Sequence, residues 1–426
     1  MIPVLKEKHP KSKIIALHVD NTFLSKTEAA FYGSDTAALQ EFLGKEIPET
    51  EASCIKVVEW RPSLNYYKEA YVKLLSNVVD FIKRMDAGKR TTAAFGKIWV
   101  RNFFRNLKLI NYTLLYRAAD FPVIITGSGP SLETALPIIQ KIKDNCLILA
   151  ASSSVMALSQ NGIPLDMVIS TDGGRWALHH IYPFFRNAQE KTAFAVNLCA
   201  ALPSQCAGVP FLILNDGSFW QSIILHELDL PSVITAQRGT VTASAVELAI
   251  LLSTGNIYLA GMDLSVKDIR THTRPYGFDH LFFSRANRFM PVYSESFIRS
   301  SLIQGGGSMD IYAAWFKNQI NIWPQRVFSL GDNRTSNISH EIFKTSMPSK
   351  KTITNKKNTF DFFRPVRVEE DPALFCKRGV SALLAALNDS RYAAELKTEL
   401  THLLFPNEKE VSQSRLETAI KEAACE

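Results

Sequence analysis

A chain of 426 residues is long enough for two or three domains and a large core. Hydrophobic residues make up 46% and charged residues 21%, the balance of a soluble globular protein, and no apolar run reaches the length of a membrane span. The formal net charge of +7 suits an anionic ligand, but the basic residues are dispersed without a nucleic-acid-binding motif, which argues against nucleic acid and for a solvated surface with a small Lys/Arg excess.

Residues 1–120 read as an N-terminal α/β module. Residues 13–19 have the composition of a strand, and turn signals follow at Gly33-Ser34-Asp35 and Ile47-Pro48. Helical spacing runs over 64–85 through Tyr67, Tyr71, Leu74, Leu75, Val78 and Phe81. A second helical stretch, roughly 94–117, is basic and aromatic. It fits a membrane-surface helix, but packing on a neighbouring domain is preferred. Asp120-Phe121-Pro122 marks a boundary. The first residues, Met1 to Lys8, lack the apolar stretch of a secretory signal, so a cytoplasmic location is expected. Six scattered cysteines without a Cys-x-x-Cys pair indicate neither a zinc site nor a disulfide framework.

Strands and helices alternate over 121–265. The strands are expected at 122–127, 146–151, 166–171, 192–198, 210–215, 232–236 and 256–261, and the helices at 131–143, 153–161, 174–188, 218–228 and 240–254. This predicts a Rossmann-like α/β core with a mostly parallel sheet. Right-handed crossovers set the strand C-termini along one edge, where such sheets bind ligands. Residues 265–309 read as an irregular insertion, a lid or an acceptor-facing loop; helix 310–319 and strand 326–330 finish the sheet. Residues 345–360 read as a linker and 370–422 as helices. The expected domains are therefore 1–120, a nucleotide-binding catalytic domain at 121–345, and a linker with a C-terminal helical domain at 346–426.

The first strand ends in Gly127-Ser128-Gly129-Pro130-Ser131. The two glycines permit positive φ and close approach of a ligand, Pro130 suits a first helical turn, and Ser131 suits a cap. This predicts a helix start with exposed amides that bind an anion such as phosphate. Alone, a Gly-x-Gly turn is as well explained by ordinary strand-to-helix geometry. The other strand ends add Ser153, Asp172-Gly173, Asn197, Asn215-Asp216, Gly239-Thr240 and Gly261-Met262-Asp263. Each residue type is common at turns and caps. As a series on one rim they offer hydroxyl, amide and carboxylate groups suited to a nucleotide.

Four motifs carry a family resemblance: Gly127-Ser128-Gly129-Pro130-Ser131-Leu132; Asn161-Gly162-Ile163-Pro164-Leu165-Asp166 leading to Ser170-Thr171-Asp172; Gly239-Thr240-Val241; and Gly261-Met262-Asp263-Leu264 running on to Thr271-His272-Thr273. In this order they resemble the motility-associated factor (Maf) proteins, which glycosylate flagellin, and the wider group that includes the 6-hydroxymethylpterin diphosphokinase MptE. The resemblance covers roughly 120–330. It implies a core similar to sialyltransferases that use CMP-activated sugars, with flagellin as the protein acceptor for pseudaminic or legionaminic acid. The chain is shorter than typical Maf proteins, which leaves the acceptor less defined than the nucleotide site.

On that reading the donor phosphate rests on the 129–131 helix start. Asp172, Asn197 and Asn215 contact hydroxyls and base. His272 is the general base, since an unperturbed imidazole titrates near the working pH. Arg274 or Tyr276 neutralises the sugar carboxylate or the phosphate, and Asp263 completes the catalytic set. In-line attack inverts the anomeric carbon. Taken alone, His272 is better read as a loop histidine that caps Asp263 or a backbone group; its position just after the last strand, inside the family-like Thr271-His272-Thr273, makes the two readings even. His179 and His180 are expected to be exposed helix residues; Trp176 and Trp220 are expected in the core rather than stacked on a base. The expected ligand is a CMP-activated sugar as donor, with no cofactor assigned and Mg²⁺ left open. The alternative, pyrophosphoryl transfer from ATP to a pterin, would need Mg²⁺ held by Asp172, Asp216 and Asp263. A third reading is a nucleotide-sugar or flagellin-binding protein without catalysis.

Overall fold

The computed structural model describes residues 2–21, 29–47, 51, 54–186, 192–235, 240–304, 308–320, 322–331, 343–348, 362–408 and 410–425. The chain forms two compact units, Met1–Gly96 with Phe405–Lys409, and Lys97–Leu404 with Glu410–Glu426.

In the first unit, β1 (Ile15–His18) pairs in parallel with β2 (Ala29–Tyr32). Helix α1 spans Ile2–Lys8, and α2 (Thr36–Glu46) starts at Asp35, whose carboxylate accepts the Ala38 N–H at 2.7 Å. Helix α3 (Arg61–Tyr66) has a proline in its first turn. Leu39 and Leu43 of α2 are buried with Leu74, Val78, Phe81 and Met85 of α4, which runs Lys68–Leu107.

Helix α4 corrects two expectations. Where sequence periodicity suggests two helices, there is one of 40 residues. The polar stretch Asp86 to Thr92 holds no proline, and Asp86 pairs with Arg90 one turn on at 2.7 Å, so nothing breaks the helix. The helix also stops ten residues before 117. Tyr112–Tyr116 is strand β3, because its aromatic and β-branched residues find an antiparallel partner in β13 (Phe363–Arg367). Pro365 in β13 is tolerated because this is an edge strand.

The second unit is built on an eleven-stranded sheet. Its strands include β4 (Val123–Thr126), β5 (Leu147–Ala151), β6 (Met167–Ser170), β7 (Ala193–Asn197) and β8 (Phe211–Asn215). They continue with β9 (Ser232–Ile234), β10 (Ile257–Ala260), β11 (Val327–Leu330) and β12 (Thr345–Ser346). The order is β12-β11-β10-β4-β5-β6-β7-β8-β3-β13, with β9 also paired to β8; every pairing but β3–β13 is parallel. The mostly parallel α/β core is thus as the sequence predicts. Strands β4 to β8 are buried along their whole length, which matches their continuous apolar runs. After β4 the chain adds β5 to β8 on one side, and α9 (Val241–Leu252) then returns it to β10 on the other side. The strand order therefore reverses between β4 and β10, which opens a crevice at their C-terminal ends.

The unit boundaries differ from the expected domains. The division falls at Gly96 rather than near 120, since the end of α4 packs in the sheet unit: Val100, Phe103, Phe104 and Leu107 are fully buried there, and Phe103 meets Trp220 at 4.7 Å. The C-terminal helices (Pro372–Asn388, Ala393–Leu404 and Gln413–Cys425) are not a separate domain either. A side chain at Gly379 would touch Ile224 of α8 (Phe219–Glu227), and the Glu399 carboxylate accepts the Phe219 and Trp220 amides at 3.1 and 2.9 Å. Two helices, α10 (Asp279–Arg285) and α11 (Val292–Gln304), form within the stretch expected to be irregular. They precede α12 (Ser308–Gln319).

Candidate functional site

The ends of β4 and β10 touch through backbone. Gly127 N–H donates to Ala260 O and Gly129 N–H to Gly261 O, both at 2.8 Å. A Cβ at Gly127 would lie 2.5 Å from Gly261 O, and one at Gly261, where φ is +68°, would lie 2.5 Å from Gly127 O. Only glycine lets the two turns approach this closely.

The helix that follows, α5 (Leu132–Ile142), does not present an open anion site. Asp263 Oδ2 accepts the Ser131 N–H at 3.0 Å and the Ser131 hydroxyl at 2.7 Å. Ser131 therefore gives its hydroxyl to Asp263 instead of capping the helix. The amides of Leu132, Glu133 and Thr134 bond to carbonyls of Gly129, Pro130 and Ser131. The expectation that a phosphate rests on these amides meets an internal carboxylate already there, and a side chain at Gly129 would strike it. Asp263 is 7% exposed, and it fits a capping role at the helix start better than proton transfer.

The segment after β10 folds back over the β4 turn. Thr273 N–H donates to Ser128 O at 2.7 Å. Glu133 in the first turn of α5 holds the segment at two points: both its carboxylate oxygens accept from Arg270 at 3.0 and 2.8 Å, and Oε1 accepts the Arg274 N–H at 3.1 Å. His272 is thereby set beside the switch-point crevice. Its Nδ1 lies 2.8 Å from Thr271 Oγ1, and its ring stacks on Tyr276 at 4.1 Å and 17°.

From Tyr276 a continuous row of rings crosses to α7 (Leu178–Arg186). Tyr276 meets His180 at 5.0 Å, His180 meets Phe278 at 4.9 Å, Phe278 meets His179 at 5.0 Å, and His179 stacks on Trp176 at 5.6 Å. Gly277 allows this, since a side chain there would lie 2.6 Å from His179 O. Arg299 of α11 covers the far side, with its guanidinium 4.4 Å from the Phe282 ring centre and 5.8 Å from that of Phe278. A cleft lined by His272, Arg274, Tyr276, Asp279, Ser296 and Arg299 lies between the segment and α11.

The electrostatics of the cluster follow from burial. Loss of solvent pulls the His272 pKa down to about 3, with the positive charge of His180 and Arg299 adding to it. Burial pulls His180 down to about 4, helped by the neighbouring His179. Tyr276 is raised well above the usual phenol value, by burial first; Arg299 works against that rise, while Asp279 and Asp172 add to it. Both imidazoles are therefore neutral at pH 7. In the tautomer that donates Nδ1–H to Thr271 Oγ1, His272 Nε2 is the nitrogen that can take a proton. Thr273 Oγ1 and His180 Nδ1 are buried without a hydrogen-bond partner among the described residues.

The remaining predicted residues line the rim but are engaged in shaping their own turns. Asp172 is exposed and accepts the Gly174 N–H at 2.7 Å; its effect on Tyr276 brings it into the cluster. Gly173 leaves room for Trp99, and its carbonyl accepts from Asn102 at 3.1 Å. Asn197 Oδ1 accepts the Cys199 N–H and Asn215 Oδ1 the Gly217 N–H, at 2.8 and 2.9 Å. Asp216 accepts from Ser218 N and Gln221 Nε2, both at 2.9 Å. Thr240 caps α9 by accepting the Ala243 N–H at 3.1 Å. Ser153 is half-buried next to Ser154, which bonds to Thr126 at 2.8 Å. Arg274 is exposed, 3.4 Å from Ser296 Oγ. Gly239 lies outside the described residues. Asp172, Asp216 and Asp263 sit on separate loops, and among the described residues no three His, Cys, Asp or Glu side chains converge to hold a metal ion.

Some contributors escaped sequence reading. Arg299, Glu133 and Arg270 carry no motif, because their partners are remote in the chain. His180 turns inward rather than outward, and Trp176 is 56% exposed on the rim, whereas Trp220 is in the core as expected. Asn102 and Asn106 of α4 brace the loops after β6 and β7 by donating to four carbonyls at 2.7–3.1 Å.

Comparison with known proteins agrees with this core. The family model described as 6-hydroxymethylpterin diphosphokinase MptE-like matches residues 98–268, a range that holds the glycine turn, the Asn161 and Gly239 motifs and Gly261–Leu264 and ends before Thr271-His272-Thr273. An uncharacterised protein of Treponema pallidum (strain Nichols) is 28% identical over 288 residues, 67% of this chain and 62% of that protein. A second from the same organism is 27% identical over 134 residues, 30% of this chain and 62% of that one. The structure of the Maf glycosyltransferase from Magnetospirillum magneticum AMB-1 matches with a TM-score of 0.51 at 13% identity, covering 93% of this chain and 64% of that chain. The chain spans less than two thirds of the length of each of these proteins. Over residues 98–268 the chain is therefore similar to the MptE-like family model, and it shares the fold of the Maf glycosyltransferase.

Proposed function

We propose that the chain is a glycosyltransferase that moves a sugar from a nucleotide-activated donor to an acceptor hydroxyl. The observation that carries this reading is His272, a neutral imidazole with Nε2 available, held by Thr273 and Glu133 beside the crevice between β4 and β10. The fold shared with a Maf glycosyltransferase supports the reaction class. The motif resemblance supports the finer assignment: a CMP-linked nonulosonic acid as donor and Ser or Thr of flagellin as acceptor, in the cytoplasm.

The nucleoside lies along the rim from Ser153 past Asp172 to Asn197 and Asn215, and the anionic part of the donor lies toward the 271–276 segment rather than on the Asp263-capped helix start. His272 Nε2 takes the acceptor proton as the acceptor oxygen bonds to the anomeric carbon. The bond from that carbon to the phosphate oxygen breaks, and its electron pair leaves with CMP. Attack from the opposite side inverts the anomeric carbon, and positioning supplies much of the rate.

The family model's description favours a second reading, transfer of pyrophosphate from ATP to a pterin. Thermal stabilisation by CMP or CDP without metal, followed by a mass increase of flagellin on incubation with CMP-nonulosonic acids, tests the first reading. Stabilisation by ATP with Mg²⁺ and none by cytidine nucleotides would replace it with the second. Failure of every CMP-sugar tried, with CMP still bound, would leave a binding protein.

A further inference from the structure

We propose that Arg299 is the counter-ion for the anionic group of the donor, and that the anion it recruits into the His272 cleft is what makes His272 a base strong enough to act. The inference rests on the glycosyltransferase reading and adds a positioning residue to it.

The geometry comes first. Arg299 approaches from α11, an element separate from the segment that carries His272, and both line one cleft with Arg274, Tyr276 and Ser296. Its guanidinium is fixed over the Phe282 ring, while its Nε meets Glu295 Oε1 at 3.4 Å in a partly exposed pair. A stacked guanidinium has a fixed plane and keeps donors directed at the cleft, which suits a carboxylate or phosphate. Of the other cations at this edge, Arg270 gives one nitrogen to both carboxylate oxygens of Glu133, and Arg274 is exposed with its guanidinium 3.4 Å from Ser296 Oγ. Buried Thr273 Oγ1 has no hydrogen-bond partner among the described residues and belongs to the same lining, so a polar ligand there would complete it.

The chemistry follows from what surrounds the imidazole. His180 comes from α7, Arg299 from α11, Asp279 from α10, and Arg270, Arg274 and Tyr276 from the segment itself; Glu133 of α5 is engaged by Arg270 and the Arg274 amide. With no ligand, burial and the neighbouring positive charge both oppose an imidazolium at His272. The neutral ring is in the right state to accept a proton but is a poor base. An anion bridging Arg299 and the cleft would cancel the guanidinium field and place negative charge within reach of Nε2, which raises a histidine pKa by about 1–3 pH units. Donor binding would thus switch on the base, and an acceptor hydroxyl arriving first would meet a weak one.

Histidine NMR titration of the full chain tests this, with CMP to present a phosphate, free N-acetylneuraminate to present a carboxylate, and inorganic phosphate as a minimal probe. The expected result is a His272 resonance that titrates in the acid range alone and moves up by about 1 pH unit or more with at least one of the three. In Arg299→Gln the unliganded His272 should titrate higher than in the wild type, and the ligand-induced rise should be lost with an affinity drop of about tenfold or more. Arg299→Lys, which keeps the charge, should retain part of the rise and controls for a folding defect. Which probe acts tells whether the cleft takes the phosphate or the sugar carboxylate. CMP binding with His272 unmoved, or an Arg299→Gln protein that responds like the wild type, overturns the inference and leaves the glycosyltransferase reading standing. A rise with inorganic phosphate and no binding of CMP or the sugar acid would leave an anion site at Arg299 that serves no such donor, and overturns the inference together with that reading. No rise with any probe overturns the inference.

Discussion

Replacing Asp263 with alanine separates two accounts of the helix start at 131. In the structure the carboxylate accepts two hydrogen bonds from Ser131, at 3.0 and 2.7 Å, and is 7% exposed. Hydrogen bonds to a charged group contribute about 1.5–3 kcal/mol each. They share one carboxylate and do not add in full, so Asp263→Ala should cost about 3 kcal/mol, including the Ser131 donors left without a partner. For a large domain this lowers the melting temperature by roughly 5–10 °C. Asp263→Asn keeps an acceptor oxygen and loses the charge, so it should cost only about 1 kcal/mol. Calorimetry gives the stability, and amide exchange at Ser131 and Leu132 reports the site directly. The emptied helix start should also gain affinity for inorganic phosphate, since its amides and dipole favour an anion. A melting temperature within about 1 °C of the wild type, with unchanged exchange at Ser131, would refute the capping role. It would return the helix start to the donor phosphate.

Gly261→Ala should destabilise the sheet unit by about 2–4 kcal/mol, because φ is +68° and the new Cβ would lie 2.5 Å from Gly127 O; denaturant unfolding that matches the wild type would contradict the close crossing of β4 and β10. Stability should fall with acid. His272 and His180 titrate at about 3 and about 4 in the folded chain, against 6.5 for the unfolded group, so the unfolded state takes up protons first. The stability that their neutral forms confer is complete above pH 6.5 and is lost as pH falls toward 4 and then 3. The slope is at most about 1.4 kcal/mol per pH unit for each. His272→Asn should flatten that slope between pH 6 and 4, as read by urea unfolding at stepped pH; an unchanged slope would mean that His272 is solvated. Glu399→Ala removes the acceptor of the Phe219 and Trp220 amides, and a loss of about 1–2 kcal/mol with faster exchange at those two amides is expected.

The strand and helix pattern of 121–265 was legible because each strand is a short apolar run buried over its whole length and each helix begins at a polar or glycine turn; local composition decides such elements. The same locality explains why Gly127 and Gly261 could be singled out: turn residues carry their signal within a few positions. What the sequence left undecided depends on partners far along the chain. Strand β3 exists because Phe363–Arg367 lies beside it, some 250 residues later, and no periodicity in Tyr112–Tyr116 announces that. Ser131 reads as a cap and Asp263 as one of the catalytic set until tertiary contact puts one on the other and closes the anion site between them. His180 reads as exposed until Gly277 lets Tyr276 and Phe278 pack over it. Arg299 has no signal at all in the sequence, because a guanidinium acquires its role only from the rings and imidazole that folding sets around it.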